Sequence, residues 1–338
     1  MPKRTPTGML LMLFMGCFPG IVAIALARQT QNAPTFSVSV DLVKIPITLF
    51  DEEGGVITDL RADDLRIYED GKAQKIRSFS MDTNPVSVVL LLDASGTVEK
   101  ELKQIKEAAE GFADALSKGD RISVITFADS VDLVLDWTED TRQVRKVLRK
   151  VEPGLRTNLY DAMLKASQDQ LHGVDGRKAI ILLTDFLNNQ SVVGYHDSVK
   201  AIVQSQATVY IISKTTMVRR DAAKQRRVMI LNDIYSRLFG EENYIEEFFA
   251  KKEREMADLA EKTGGRCYFP NGYNEIKGVY QQVAKELKNQ YYLTYVSEGF
   301  KEANSYHNIT VECLRSSSRL VYRKGYFYKP EPVFRLRR

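Results

Sequence analysis

The sequence is poor in the residues that bind zinc or copper. Its 338 residues include three cysteines and three histidines, with no C-x-x-C or H-E-x-x-H motif. Nothing in it therefore indicates a clustered thiolate or imidazole site. His172, His196 and His307 lie far apart in the chain, which indicates ordinary surface or core positions. Cys267 and Cys313 follow the N-terminal segment, and both a disulfide and two separate thiols are open to them.

The sequence also lacks a strong excess of one charge. The formal net charge is +4, and the N-terminal 27 residues contain two positive charges, Lys3 and Arg4, so the remainder carries about +2. A charge this small gives no electrostatic basis for binding nucleic acid. We therefore expect no nucleic acid partner.

The first 27 residues have the pattern of an export signal. Lys3 and Arg4 precede an uncharged stretch, Met9–Ala27, which ends in the A-x-A cleavage pattern Ala25-Leu26-Ala27. We expect an exported protein, periplasmic or secreted. The alternative is an uncleaved N-terminal membrane anchor, because the stretch approaches the ~18 apolar residues that a spanning helix needs. Contact with a membrane is expected only in that case.

The pattern of apolar residues changes twice along the chain. After the signal at 1–27, alternation predicts a small β unit over 28–82. From 83 to 289, apolar strand runs alternate with helical spacing, which predicts a doubly wound, mostly parallel α/β sheet with an insertion at 214–262. Strand patterns return over 290–338. We expect the terminal strands to pair into one β-sandwich-like unit that carries the α/β unit as an insertion, with a sequential arrangement as the alternative.

The most informative segment is Asp93-Ala94-Ser95-Gly96-Thr97, which directly follows the apolar run Val88–Leu92. A strand that ends in a carboxylate and two hydroxyls at alternate positions presents hard oxygen ligands at one edge of a sheet. Two further positions fit: Thr157 lies in a loop before a helix, and Asp185 follows the buried run Ile180–Thr184. Oxygen ligands of these kinds suit Mg²⁺, Mn²⁺ or Ca²⁺.

These residues give the chain its resemblance to a known family. It resembles the von Willebrand factor A-type domain of exported bacterial proteins and its metal-ion-dependent adhesion site, over roughly residues 85–289. That site uses D-x-S-x-S after the first strand, a threonine in a later loop and an aspartate after a later strand. The matching positions are Asp93, Ser95, Thr97, Thr157 and Asp185. Thr97 replaces the usual serine, and Phe186 stands where glycine is common, so we expect a narrower rim.

The resemblance implies a binding module without catalytic activity. In the family pattern Ser95, Thr97 and sometimes Thr157 bind Mg²⁺ (or Mn²⁺ or Ca²⁺) directly, whereas Asp93 and Asp185 act largely through water. Neutral hydroxyl ligands leave the ion electrophilic. It then accepts an Asp or Glu carboxylate of a partner protein as a further ligand.

Two other interpretations compete with this one. The hydroxyls of Ser95, Thr97 and Thr157 can instead cap helices, which would leave a structural or interaction module of the same fold with an unoccupied metal site. The segment also resembles that of haloacid dehalogenase-type phosphatases, in which Asp93 would be the nucleophile. That chemistry needs an acid/base carboxylate two residues on, where this chain has Ser95, so we expect no enzyme.

Overall fold

The computed structural model describes residues 42–96, 99–224, 244–298, 301–315 and 318–329. The strands are β1 (Leu42–Phe50), β2 (Val56–Ile57), β3 (Leu65–Glu69), β4 (Lys72–Gln74), β5 (Ile76–Met81), β6 (Val86–Asp93), β7 (Arg121–Phe127), β8 (Val131–Thr138), β9 (Arg177–Thr184), β10 (Thr208–Ser213), β11 (Cys267–Tyr268), β12 (Tyr291–Val296), β13 (Tyr306–Cys313), β14 (Arg319–Tyr322) and β15 (Gly325–Phe327). The helices are α1 (Glu99–Ala115), α2 (Thr141–Leu148), α3 (Leu159–Leu164), α4 (Tyr195–Ser205), α5 (Thr215–Lys224), α6 (Tyr244–Lys262) and α7 (Ile276–Lys288).

The central sheet has six strands in the order β11-β10-β9-β6-β7-β8. All neighbours are parallel except β8, which runs antiparallel to β7 at one edge. In the middle of the sheet Leu92 lies opposite Leu183, so β6 and β9 reach the same edge together. The parallel sheet agrees with the continuous apolar runs, which are typical of strands covered on both faces.

Helices cover both faces of this sheet, as a doubly wound fold requires. Val88 and Leu90 of β6 pack in one buried cluster with α1 and α7. The intervening Val89 and Leu91 pack in a second cluster with α3, α4 and α6 on the other face. The alternation of successive side chains between two cores explains why every position of β6 is apolar or buried. The predicted α/β fold class is confirmed.

The strands outside this sheet form two further sheets with a common core. One has the order β14-β1-β12-β5, with β2 beside β1, and the other has the order β15-β13-β3-β4. N-terminal β1 pairs with C-terminal β12 and β14, and β3 pairs with β13. Ile45, Ile67, Leu293 and Val311 contribute to the buried cluster between them. The domain boundaries at 82 and 289 stay predictions.

Some sequence predictions fall outside the described residues: the export signal at 1–27, Thr97, and the middle of the 214–262 insertion, of which α5 and α6 form the two ends. In the part of the chain that the structure describes, no helix combines the length and hydropathy that crossing a membrane takes. Cys267 and Cys313 are both free thiols.

Gly265, between α6 and β11, has no room for a side chain. A Cβ at this position would come within 1.9 Å of the Val209 carbonyl oxygen. We expect Gly265→Ala to lower the free energy of unfolding in urea by about 1–3 kcal/mol, because backbone must shift. Gly278 in α7 is the control: its Cβ would meet nothing within 4 Å, so Gly278→Ala should be neutral or stabilise by up to about 1 kcal/mol. Equal effects of the two substitutions on the free energy of unfolding would contradict a steric clash at Gly265.

Candidate metal site

Two predicted carboxylates lie where adjacent parallel strands end. Asp93 is the last residue of β6, and Asp185 directly follows β9. The Thr184 hydroxyl, at the end of β9, donates a hydrogen bond to Asp93 Oδ2 at 3.0 Å. The strand register therefore brings both acids to the carboxyl edge of the sheet, where open α/β folds place their ligands.

Hydroxyl groups join Asp93 in one buried cluster. Asp93 Oδ1 accepts the backbone N–H of Ser95 at 2.9 Å and also the Ser95 hydroxyl. The Thr157 hydroxyl donates to Ser95 Oγ at 2.8 Å. Asp93 is 0% exposed, Ser95 6% and Thr157 4%. Ser95 and Thr157, which are 62 positions apart in the sequence, are thus in direct contact.

The loop that carries Thr157 is held by backbone hydrogen bonds to the segment after β6. The Gly154 N–H donates to the Ala94 carbonyl at 3.1 Å, and the Gly96 N–H donates back to the Gly154 carbonyl at 3.0 Å. Gly154 fits this close approach because it lacks a side chain: a Cβ there would lie 2.5 Å from Cβ of Ala128. The two loops consequently form one short parallel bridge beside the site.

Side-chain amides hold the same loop from the other side. Asn189 Oδ1 accepts the Thr157 N–H at 2.9 Å, and the Thr157 carbonyl accepts the Asn189 N–H at 3.2 Å. Asn188 Oδ1 accepts the Leu159 N–H at the start of α3 at 3.1 Å. Asn158, at the N-cap position of α3, makes no side-chain capping bond. The Thr157 hydroxyl is therefore directed to Ser95, and the helix-capping alternative does not describe it.

Asp185 is 8% exposed, and its Oδ1 accepts the Leu187 N–H at 3.0 Å. Burial raises the pKa of this carboxyl, and the neighbouring Asp93 carboxylate raises it further, while the Lys214 ammonium acts in the opposite direction. Two desolvated carboxylates that repel each other make a place where a cation would be stabilised.

Phe186 follows Asp185 directly, and the narrower rim expected from it stays a prediction. Its side chain is fully buried and packs edge-on against Tyr195. Its backbone has a φ of 61°, in the left-handed region that favours glycine. A bulky residue there costs about 1–3 kcal/mol, which the burial of its ring offsets.

Lys214 completes the site, and sequence reasoning missed it. It directly follows β10, and its N–H donates to the Thr184 carbonyl at 2.8 Å. Its side chain is 2% exposed, and Nζ lies 3.2 Å from Asp93 Oδ2 and 3.3 Å from the Asp93 carbonyl oxygen. The available signal was a lysine at the end of a buried strand, at the sheet edge where the carboxylates lie.

The side chains that converge here fit a hard divalent cation. Carboxylates from Asp93 and Asp185 and hydroxyls from Ser95 and Thr157 are all oxygen ligands, the kind that Mg²⁺ and Mn²⁺ prefer. Lys214 supplies one positive charge against two carboxyl groups, so the buried group as a whole is negative when both carboxyls are ionised. These residues would hold the ion. When bound, the ion supplies a positive centre that accepts a further oxygen ligand.

A second cluster of possible metal ligands lies in the terminal β sheets. Ligand atoms of Glu69, Asp70 and His307 are all within 4.8 Å of one another. His307 Nδ1 is 2.7 Å from Asp70 Oδ2 and 3.7 Å from Glu69 Oε1. His307 was expected at an ordinary surface or core position. Its contact with Asp70, 237 positions away in the sequence, depends on the pairing of β3 with β13.

Protein groups already surround Glu69 in this cluster. Burial raises the pKa of the Glu69 carboxyl, but hydrogen bonds from the hydroxyls of Ser297 and Tyr326, together with the Lys301 ammonium, hold it below its usual value. Lys301 Nζ is 3.3 Å from Glu69 Oε1, and the Tyr326 hydroxyl donates to the same oxygen at 2.8 Å. These contacts form a polar cluster between strands, in which the Lys301 ammonium lies beside Glu69 where a metal ion would otherwise bind.

A comparison with protein families identifies the central sheet. Residues 88–188 match the model of the von Willebrand factor type A domain. The chain contains a von Willebrand factor type A domain. The matched segment includes both candidate carboxylates, Asp93 and Asp185. Lys214 lies beyond its end. Among curated proteins, none matches the sequence.

Solved structures with similar folds include a mussel protein and bacterial von Willebrand factor type A domains. Proximal thread matrix protein 1 of the mussel byssus is 13% identical, with a TM-score of 0.44 over 62% of this chain and 50% of that one. The domain of the type V pili tip protein Mfa5 of Porphyromonas gingivalis is 24% identical, with a TM-score of 0.30 over 34% and 44%. A von Willebrand factor type A protein of Catenulispora acidiphila is 9% identical, with a TM-score of 0.46 over 88% and 76%. This chain spans half or less of the length of the first two of these proteins.

The ion pair predicts how the von Willebrand factor type A domain responds to loss of Asp93. Asp93→Ala leaves the buried Lys214 ammonium without its carboxylate, so we expect the free energy of unfolding to fall by about 3–5 kcal/mol. The measurement is urea denaturation with a chelator present, which removes any contribution of metal.

The double variant Asp93→Ala/Lys214→Met is the control for this effect. It removes both charges of the Asp93–Lys214 pair, so it should recover a large part of the stability that the single substitution loses. A loss of less than about 1 kcal/mol in Asp93→Ala would show that the pair is not desolvated as described.

Proposed function

We propose that this chain is a cation-dependent protein-interaction module. In this proposal Mg²⁺, or Mn²⁺ or Ca²⁺, binds at the adhesion-type site and accepts an Asp or Glu carboxylate of a partner protein. The residues proposed to hold the ion are Asp93, Ser95, Thr97, Thr157 and Asp185. The observation that carries the proposal is the direct contact of Asp93, Ser95 and Thr157 in one buried cluster at the strand ends.

The chemistry of the ligands supports a role in binding a partner. Ser95 and Thr157 offer neutral hydroxyl oxygens, which withdraw less of the positive charge of an ion than carboxylates do. An ion held in this way keeps its attraction for an external carboxylate. Von Willebrand factor type A domains are typically interaction modules, which agrees with this chemistry.

The surface near the site suits a protein partner. Leu155 and Val192 are 90% and 95% exposed. Leu155 lies two residues before Thr157, and Val192 lies in the segment after β9 that is hydrogen-bonded to Thr157 through Asn189. When a partner covers apolar side chains that are exposed to this degree, their removal from water favours binding.

The phosphatase alternative is not supported by the contacts of Asp93. This carboxylate has no exposed surface, and it is bound by Thr184 and Lys214. Two residues on, where an acid/base group is needed, Ser95 is hydrogen-bonded to Asp93 itself. A serine there supplies no proton at neutral pH.

We also propose that the protein acts outside the cytoplasm, in the periplasm or secreted. The support is the charge, apolar run and A-x-A pattern of residues 1–27. Sequencing the N-terminus of the protein isolated from its native host tests this. Arg28 as the first residue would show cleavage, whereas Met1 would show an uncleaved segment.

Calorimetric titration of Mn²⁺ and Mg²⁺ into the full chain tests the metal site. We expect saturable binding of a single ion, sensitive to chelators. Thr157→Val removes a hydroxyl ligand while keeping a similar shape, and Asp185→Asn removes one charge. Each should weaken the affinity by about tenfold or more.

Asp175→Asn is the matched control for Asp185→Asn. Asp175 is exposed and precedes β9, at the opposite end of the strand from Asp185, so this substitution should leave the affinity unchanged. Absence of binding at millimolar metal in the folded wild-type chain would overturn the proposal and favour a module of the same fold without metal.

A further inference from the structure

The buried ion pair between Asp93 and Lys214 gives the site a positive charge of its own. Both side chains are almost fully buried, at 0% and 2% exposed. Removing an ammonium from water costs several kcal/mol unless a carboxylate compensates for it. Lys214 also contacts the Asp93 carbonyl oxygen, so it is fixed to both the side chain and the backbone of this residue.

The two carboxylate oxygens of Asp93 have separate partners. Oδ2 accepts from Thr184 and lies beside Lys214, whereas Oδ1 accepts from Ser95. Ser95 in turn contacts Thr157. Lys214 therefore lies beside a different oxygen of Asp93 from the one that Ser95 contacts, and its positive charge would act on an ion bound there.

The buried charges can be counted. When both carboxyl groups are ionised, Asp93 and Asp185 contribute two negative charges and Lys214 one positive charge, which gives a total of −1. A divalent ion would bring it to +1, and one carboxylate would then bring it to neutrality. Without Lys214 the two carboxylates alone would neutralise the ion. Among the described residues of the adjoining loops, Asp129, Glu152 and Arg156 are charged and exposed, so solvent screens them.

We propose that Lys214 makes cation binding at this site depend on a carboxylate from the partner. It lowers the affinity of the free site for divalent ions, and it leaves the loaded site with a charge that one carboxylate neutralises. This inference rests on the proposed cation-dependent function. It adds the residue that couples the ion to the partner, so that ion and partner stabilise each other's binding.

Acetate serves as the carboxylate probe. Mn²⁺ is titrated calorimetrically into the full chain in chloride and in acetate buffers of equal ionic strength, with correction for the weak complex of Mn²⁺ and acetate. We expect wild type to bind Mn²⁺ several-fold more tightly in acetate. In chloride, Lys214→Met should bind Mn²⁺ roughly tenfold or more tightly than wild type, because a like charge has been removed. In Lys214→Met, acetate should no longer increase the affinity for Mn²⁺.

Two further variants make the result specific. Lys118→Met removes the same charge from an exposed position just before β7, at the opposite edge of the sheet from the site, and should behave like wild type. Lys214→Gln retains an N–H donor for Asp93 without the charge, and it serves if Lys214→Met does not fold. Gain of Mn²⁺ affinity in Lys214→Gln is the expected result.

The outcomes separate this inference from the function on which it rests. If wild type binds Mn²⁺ and the Lys214 variants show the same affinity and the same acetate effect, the coupling role of Lys214 is overturned and the metal site stands. If neither wild type nor a folded Lys214 variant binds Mn²⁺ in either buffer, the proposed metal site is overturned and this inference with it.

Discussion

The carboxylate of Asp93 has no exposed surface, and the arrangement of the site follows from the groups that surround it. Thr184 and Lys214 approach one oxygen, and Ser95 approaches the other. In a medium of low dielectric constant each of these contacts is stronger than in water, and loss of any one is costly. The ends of β6, β9 and β10 are thereby held together at one point of the sheet.

Individual groups hold the loops around this point in place. Gly154 allows one loop to lie against the segment after β6, and Asn189 holds the backbone of Thr157. A hydroxyl that is positioned before an ion arrives loses little conformational freedom on binding. The von Willebrand factor type A fold contributes the sheet edge, while these side chains set the geometry of the candidate ligands.

The sequence was sufficient for the fold class and for the placement of Asp93 and Asp185 at strand ends, because these depend on local patterns, whereas Thr157 was assigned with the help of the family resemblance. Apolar runs predict buried parallel strands, and such strands place their ends at a common edge. Lys214 was missed because a single lysine after a strand has no distinctive pattern, and its importance depends on strand order. The contact of Glu69 with His307 was missed for a similar reason: it depends on antiparallel pairing of distant segments.

The pairing of terminal strands has a consequence for how the chain folds during synthesis. Met81, at the end of β5, lies opposite Tyr291, at the start of β12. The α/β part of the chain is therefore inserted between two neighbouring strands of one β sheet. Strands β1, β3 and β5 are made first, yet their partners β12, β13 and β14 emerge only after residue 290. Contacts distant in sequence form late because loop closure is costly. The residues of the central sheet are therefore all made before the two flanking β sheets can be completed, while β1 and β3 have only the short strands β2 and β4 as earlier partners.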